Sequence, residues 1–304
     1  MKKKSMRLSV IGPGVVGYSL GKVLAKKGFD VTFFGGGEET QKKVKKDGYK
    51  IFPKDAQMDG DYDYDVTFLT VPTPTKNEKI DLSAMESAAK NMGMRLKKMK
   101  KYHLVVVKST VPPGTTESLV KNTLEKISGK KAGKDFGLCM NPEYLREISA
   151  YEDTLKPWII LIGEIDKKSG DILRKVYADF KCPIFRCSPR EAEMQKYVHN
   201  LYNAVKIAFF NEMRTIGKEN KMNINMVFKL TALSAESMWN PEYGIKDMGP
   251  YSGSCLPKDT KAFAEWAKKK DHDVHVLQAA MKANDKLLKT NGYAHLAKER
   301  EYVL

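Results

Sequence analysis

The chain has 304 residues, 42% of them hydrophobic and 30% charged, and carries a formal net charge of +16. That balance describes a folded globular chain with room for two hydrophobic cores and excludes a disordered polymer. No apolar run approaches the roughly 18 residues that cross a bilayer, and the lysines lie in scattered pairs such as Lys26-Lys27 and Lys130-Lys131, so neither a membrane nor a nucleic acid is expected as partner.

The N-terminus, Lys2–Lys4 followed by apolar Leu8–Leu20, imitates a secretory signal. Gly12, Pro13, Gly14 and Gly17 interrupt it and no small-residue cleavage site follows, so the segment reads as folded structure and the chain as cytoplasmic. Strands are predicted at Leu8–Ile11 and Phe29–Phe34 around a helix at Tyr18–Lys27, then at Val66–Val71 and Leu104–Val107 around a helix at Leu82–Lys100. A helix at Glu117–Ile127, a strand near Phe136–Met140, and a strand–helix–strand at Trp158–Ile162, Lys168–Phe180 and Pro183–Arg186 complete the pattern. Strands alternating with helices predict an α/β fold with a Rossmann-like, doubly wound parallel sheet.

From Arg190 to Lys221 there is no proline and one glycine, with apolar residues at helical spacing. A helix of that length reaches roughly 45 Å at ~1.5 Å per residue, which suits an interdomain spine or a dimer interface. After a loop at Ser237–Pro257, helices are predicted at Thr260–Lys270 and Val274–Thr290. The division expected is a nucleotide-binding domain over 1–189 and a helical domain over 190–304.

Gly12-x-Gly14-x-x-Gly17 stands between a strand and a helix, the context of a dinucleotide fingerprint. The first glycine makes the turn, the second admits the pyrophosphate, and the third lets helix and sheet pack closely. The acidic residue expected at the end of the second strand is Gly35, leaving Glu38 or Glu39 as substitutes. Those two carboxylates, and the lack of any arginine between Arg7 and Arg95, favour NAD over NADP.

Of the four cysteines, Cys139, Cys182 and Cys187 show neither disulfide nor metal spacing, and no metal is expected. Cys255 differs. It lies in Ser252-Gly253-Ser254-Cys255-Leu256-Pro257-Lys258-Asp259, where Pro257 suits the first turn of a helix and would put the thiol at its N-terminus, a setting that favours thiolate. Lys196 and Asn200 share a helix face four residues apart and form a plausible oxyanion clamp. Glu143 and Glu147 have the same spacing just after a strand end.

The segments Gly12–Gly17, Val71–Thr75, Lys108–Gly114, Asn141–Glu147, Glu193–Asn200 and Gly253–Asp259 resemble, in order, the UDP-glucose/GDP-mannose 6-dehydrogenase family. The resemblance implies Cys255 as nucleophile, Lys196 and Asn200 stabilising oxyanions, and Asp259 with Glu143 or Glu147 handling protons and water, which Thr110 positions. It implies cofactor contacts from Gly12, Gly14, Val15, Val16, Gly17, Val71, Pro72, Thr73, Thr75, Thr110 and Lys258. Substrate contacts are implied for Glu147, Lys196, Asn200, Tyr251 and Gly253. The activity implied is four-electron, NAD-dependent oxidation of a UDP-glucose-like nucleotide sugar to its uronic acid, by a homodimer built on the long helix. Ile148 stands where the family has glycine, Ser252 where it has the first of two, and the segment before Val66 is short. The chain stops soon after the helix containing Asn284, so the family's C-terminal nucleotide-binding domain is expected to be absent and nucleotide-sugar affinity weak. Two rival readings are a two-electron β-hydroxyacid dehydrogenase, which has no need of the Cys255 segment, and a degenerate binding protein without turnover.

Overall fold

The computed structural model describes residues 6–54, 56, 63–76, 79–245, 249–253 and 255–289. The chain divides into two units, Met1–His199 and Asn200–Leu304.

In the first unit, β1 (Arg7–Ile11), α1 (Val15–Lys26) and β2 (Asp30–Phe34) are followed by α2 (Glu38–Lys46), β3 (Lys50–Phe52) and β4 (Val66–Leu69). A small ribbon, β5 (Thr75–Lys76) and β6 (Lys79–Ile80), precedes α3 (Ser83–Lys98) and β7 (Leu104–Val107). A wide π-helical turn at Thr116–Val120 leads into α4 (Lys121–Ser128), then β8 (Gly137–Met140), α5 (Ala150–Leu155), β9 (Ile160–Glu164), α6 (Lys167–Val176) and β10 (Ile184–Cys187). The helix α7 (Pro189–Glu219) begins here and continues into the second unit.

The main sheet has the order β3-β2-β1-β4-β7-β8-β9-β10. Its central strands are largely apolar because both faces are covered, with Ser9, Thr32 and Thr67 buried among the apolar residues. Leu8, Val10, Val66, Phe68, Leu104 and Val106 enter one core layer, while Ile11, Leu69, Val105 and Val107 enter the other. The first layer includes Leu20, Val23 and Leu24 of α1, and the second Met85, Ala89 and Met92 of α3. The doubly wound α/β fold is as the sequence predicts, with one correction: β9 runs antiparallel to β8, with Met140 opposite Gly163. β10 follows β9 in parallel. The elements α2, β3 and α5 add to the expected set.

The second unit contains the rest of α7 with α8 (Ile224–Ser234), α9 (Glu236–Trp239), α10 (Leu256–Lys269) and α11 (His275–Leu288). Its buried centre is Ile216, Ala267 and Val274, with Met213, Phe263 and Trp266 packed around them. Glu212 accepts the Val276 amide at 2.9 Å and so caps the start of α11. His272, between α10 and α11, pairs with Glu219 at 2.8 Å and ties that turn to the end of α7. The stretch expected as a loop from Ser237 is partly helical, as α9 shows. No described helix is long and apolar enough to cross a membrane. Ser254 and Thr290 lie outside the described residues.

Candidate cofactor and active site

Strand order reverses between β1 and β4, and a crevice at the carboxyl ends of such strands is where α/β sheets take ligands. The glycine turn lies there, and its three glycines have three different surroundings. Gly12 has φ +96°, and a Cβ on it would come within 2.9 Å of the Thr70 carbonyl. A Cβ on Gly17 would lie 2.3 Å from Thr70 Oγ1 and 2.4 Å from Gly12 O, so α1 meets β4 here with no room for a side chain. A Cβ on Gly14 would meet nothing within 4 Å. The turn is therefore packed below and open above, the form that a pyrophosphate needs at a helix N-terminus. Thr70 fixes it by donating to Ile11 O at 3.0 Å and Gly12 O at 2.7 Å.

Above the turn is a cleft of about 490 Å³, lined by Gly12–Val16, Gly36, Thr40, Thr70–Thr73, Lys108–Thr110 and Glu143. Of the expected cofactor residues, Gly12, Gly14, Val15, Val16, Val71, Pro72, Thr73 and Thr110 line it, and Gly17 packs beneath. Thr73 donates to Thr110 O at 2.8 Å, joining the two loops that form one wall. Thr75 is exposed in the β5–β6 ribbon and is not among the lining residues. Gly35 takes φ +91° as its amide bonds Phe52 O, a conformation that would strain the expected acidic residue. Glu38 and Glu39 instead form the first turn of α2.

Two charged residues of that lining, Lys108 and Glu143, are joined by a third, Lys196. Lys196, on α7 and only 3% exposed, pairs with Glu143 at 3.1 Å. Lys108, the residue after β7, is buried and donates to Asn141 Oδ1 at 2.9 Å and Pro142 O at 3.1 Å. Burial pushes the Lys108 ammonium down to about 7, against the attraction of Glu143 and with the repulsion of Lys196. Asn141 is the hub beneath them, accepting from Tyr177 at 2.6 Å and donating to Leu161 O at 2.7 Å. Tyr144 joins α7 through Gln195 and sets its ring against His199 at 5.1 Å.

Glu193, one turn before Lys196, accepts the amides of Gly114 and, at 2.7 Å, Thr116. It thereby holds α7 to the loop that carries Ser109 and Thr110; burial raises its pKa above the usual carboxylate range. Glu147 opens a short 3₁₀ turn, exposed and outside the cleft.

In the second unit, Asn200 is exposed on α7, one turn on from Lys196. Cys255 is the exposed N-cap of α10, with Pro257 and Asp259 in the first turn, as the sequence predicts. Lys258 and Asp259 pair with each other at 2.5 Å on an exposed face. Gly253 has φ +78°, and the Tyr251 carbonyl accepts from Asn284 at 3.1 Å.

Lys108 and Asn141 open two of the motif segments, Lys108–Gly114 and Asn141–Glu147, but their spacing assigns neither a role. The signal was present: Leu104–Val107 is fully apolar and the next residue is a lysine, at the strand end where α/β sites form.

A glycine turn packed below and open above, at the switch point of a doubly wound sheet, defines a dinucleotide-binding protein. More narrowly, the chain belongs to the UDP-glucose/GDP-mannose dehydrogenase family: residues 56–181 match its NAD binding domain and residues 190–286 its central domain. NAD is accordingly the cofactor. The GDP-mannose 6-dehydrogenase of Pseudomonas aeruginosa is 37% identical over 223 residues, which are 73% of this chain and 51% of that protein. The UDP-glucose 6-dehydrogenase of Haloferax volcanii is 32% identical over 302 residues, covering 92% of this chain and 70% of the relative. Among solved structures, a ternary complex of GDP-mannose dehydrogenase from Pseudomonas aeruginosa aligns with TM-score 0.86 and 31% identity, over 93% of this chain and 69% of the other. The UDP-glucose dehydrogenase of Pyrobaculum islandicum gives 0.68 at 31% identity, over 94% and 69%. The chain thus spans about half the length of the GDP-mannose 6-dehydrogenases it matches.

Proposed function

We propose that the protein oxidises the primary alcohol of a nucleotide sugar, UDP-glucose or GDP-mannose in type, to the uronic acid in two NAD-dependent steps joined by a covalent intermediate on Cys255. The observation that carries this reading is Cys255 itself, exposed at the N-cap of α10 with Asp259 one turn away. Bound NAD supplies the hydride-accepting chemistry of both oxidations. The chain's own residues do the rest. The Cys255 thiolate adds to the aldehyde carbon left by the first oxidation, and the carbonyl oxygen takes up the charge and then a proton. Lys196 and Asn200 stabilise that oxygen while it is anionic. The second oxidation leaves a thioester; water adds to it, the C–S bond breaks, and the thiol is restored as the carboxylate departs. Asp259 with Glu143 or Glu147 accepts the protons released and activates the water, which Thr110 positions. Tyr251 and Gly253 border the substrate.

The same reading makes residues 1–189 the cofactor domain and 190–304 the central domain, and takes the working form as a homodimer. Leu201 and Val205 of α7 are 58% and 57% exposed, and Leu233 of α8 is 72% exposed. Such apolar faces call for a cover, and a second copy of the same helices supplies one.

The test is product stoichiometry with a panel of nucleotide sugars. Two NADH per acid are expected, with Cys255→Ala forming no acid while NADH affinity stays near wild type. One NADH per turnover, or acid formed by Cys255→Ala at the wild-type rate, would remove the covalent step.

A further inference from the structure

Buried Lys108 and Lys196 meet the partly buried Glu143 in a group of two cations and one carboxylate. A second cation beside a single carboxylate is costly where water is excluded, and burial brings the Lys108 ammonium down to about 7, so both charge states of Lys108 are accessible near neutral pH. With Lys108 protonated the group's formal charge is +1; with Lys108 neutral it is zero. The other ionisable groups around Lys108 leave that difference intact. Tyr177, reached through Asn141, is held neutral by burial, its pKa raised. Asp153, which lines a small cavity together with Lys108, is committed to Arg146 at 2.8 Å. His199 on α7 is held towards its neutral form by burial and by Lys196. Val15 and Val16, from the turn that opens α1, bring no charge.

The position of the group in the cleft gives that charge a target. In a dinucleotide fold the adenosine ribose is held at the end of the second strand, which here is β2. The other half of the cofactor then lies across the switch point, on the side of β4 and β7. Lys108 follows β7 and lines the cleft there. The nicotinamide ring is cationic in NAD⁺ and neutral in NADH, while the adenosine and pyrophosphate are common to both.

We propose that Lys108 is a positioning residue whose charge state sets the protein's preference between oxidised and reduced cofactor: protonated, it disfavours the cationic ring of NAD⁺, and neutral, it admits that ring. The assignment rests on the cleft being the NAD site. Neutral Lys108 favours the cofactor form that an oxidation consumes, and proton uptake favours the form it produces.

The experiment is a fluorescence or calorimetric titration of the intact protein with NAD⁺ and with NADH from pH 6 to 8.5, in wild type and in Lys108→Met. The ratio of the two affinities cancels everything the two ligands share. Unit charges within about 12 Å, at an effective dielectric constant of ~20, change an equilibrium constant by about tenfold or more. Wild type is therefore expected to shift its ratio towards NAD⁺ by about tenfold as pH rises through 7, and Lys108→Met to show a flat ratio. A ratio independent of pH in wild type overturns the proposal, and that measurement needs no variant to fold. A pH-dependent ratio that persists in Lys108→Met assigns the effect to another group and overturns it equally. Failure of wild type to bind either cofactor would instead overturn the cleft assignment, and the proposal with it.

Discussion

Adding one methyl group at two neighbouring glycines should separate what the turn does for stability from what it does for binding. At Gly17 a Cβ would sit 2.3 Å from Thr70 Oγ1 and 2.4 Å from Gly12 O, and the second atom is backbone and cannot turn aside. Overpacking of this kind costs about 1–3 kcal/mol, and disturbing the Thr70 hydrogen bonds adds about 1 kcal/mol. The better helix propensity of alanine returns about 0.5–1 kcal/mol. Gly17→Ala should therefore lose about 1–3.5 kcal/mol, a fall of roughly 2–14 °C in Tm for a unit of some 200 residues. At Gly14 the backbone has φ −75° and ψ −163°, which alanine adopts readily, and the Cβ meets nothing. Gly14→Ala should melt within about 0.5 kcal/mol of wild type, yet lose most of its NADH affinity because the methyl occupies the side from which the pyrophosphate approaches. Thermal unfolding by circular dichroism and NADH fluorescence titration on the same samples read the two effects. Wild-type melting of Gly17→Ala would refute the packing account, and wild-type NADH affinity in Gly14→Ala would refute the phosphate account.

Three further outcomes are expected. His103 is buried between Tyr64 O at 2.7 Å and Thr67 Oγ1 at 2.9 Å, and burial lowers its pKa to about 4. The unfolded chain gains this proton below about pH 6.5 and the folded one only below about 4, so stability falls as pH drops across that interval, by about 3 kcal/mol in all. Denaturant titrations at several pH values should show this slope in wild type and not in His103→Gln; equal slopes would clear His103. Lys196→Ala should lower kcat by about 10²–10³ with little change in KM, since an oxyanion is stabilised mainly in the transition state; steady-state kinetics confined to a KM effect would make Lys196 a binding residue only. Replacing both Leu201 and Val205 with Glu should turn a dimer into a monomer in sedimentation velocity, and a monomeric wild type would end the dimer proposal.

The sheet and its glycine turn were legible because buried strands announce themselves as apolar runs and a fingerprint has fixed spacing. Leu104–Val107 is the same span in sequence and structure. Strand direction was not legible. Ile160–Ile162 is as apolar as any parallel strand, and nothing in such a run records whether its neighbour points the same way. Helix α2 escaped notice because Val44 is its one buried residue among charged neighbours, too little to show a period. Around the candidate site, spacing gave Cys255 its N-cap and Lys196 its face of α7, but not the partner of Lys196. That Glu143, rather than Glu147, meets it depends on the course of the chain after β8, where Glu143 folds back to accept the Leu145 amide at 2.8 Å. The burial of Lys108, first residue of a motif segment, is hidden for a related reason, since a lysine at a strand end ordinarily reaches water.

The reversal at β9 also works as a ruler. Met140, Gly163 and Cys187 stand side by side across three strands, so α7, two residues further on, starts level with the end of β8. From there Lys196 is reached by counting helical residues alone. Each residue turns a helix by about 100° and advances it ~1.5 Å. Deleting a single residue between Cys187 and Lys196 would thus swing the ammonium away from Glu143 and leave every strand in register. A deletion in the turn at Lys131–Asp135, on the far side of β8, would leave that meeting untouched. Variation in length should therefore be tolerated in a turn that carries none of the cleft's residues, such as Lys131–Asp135, and forbidden in the first two turns of α7.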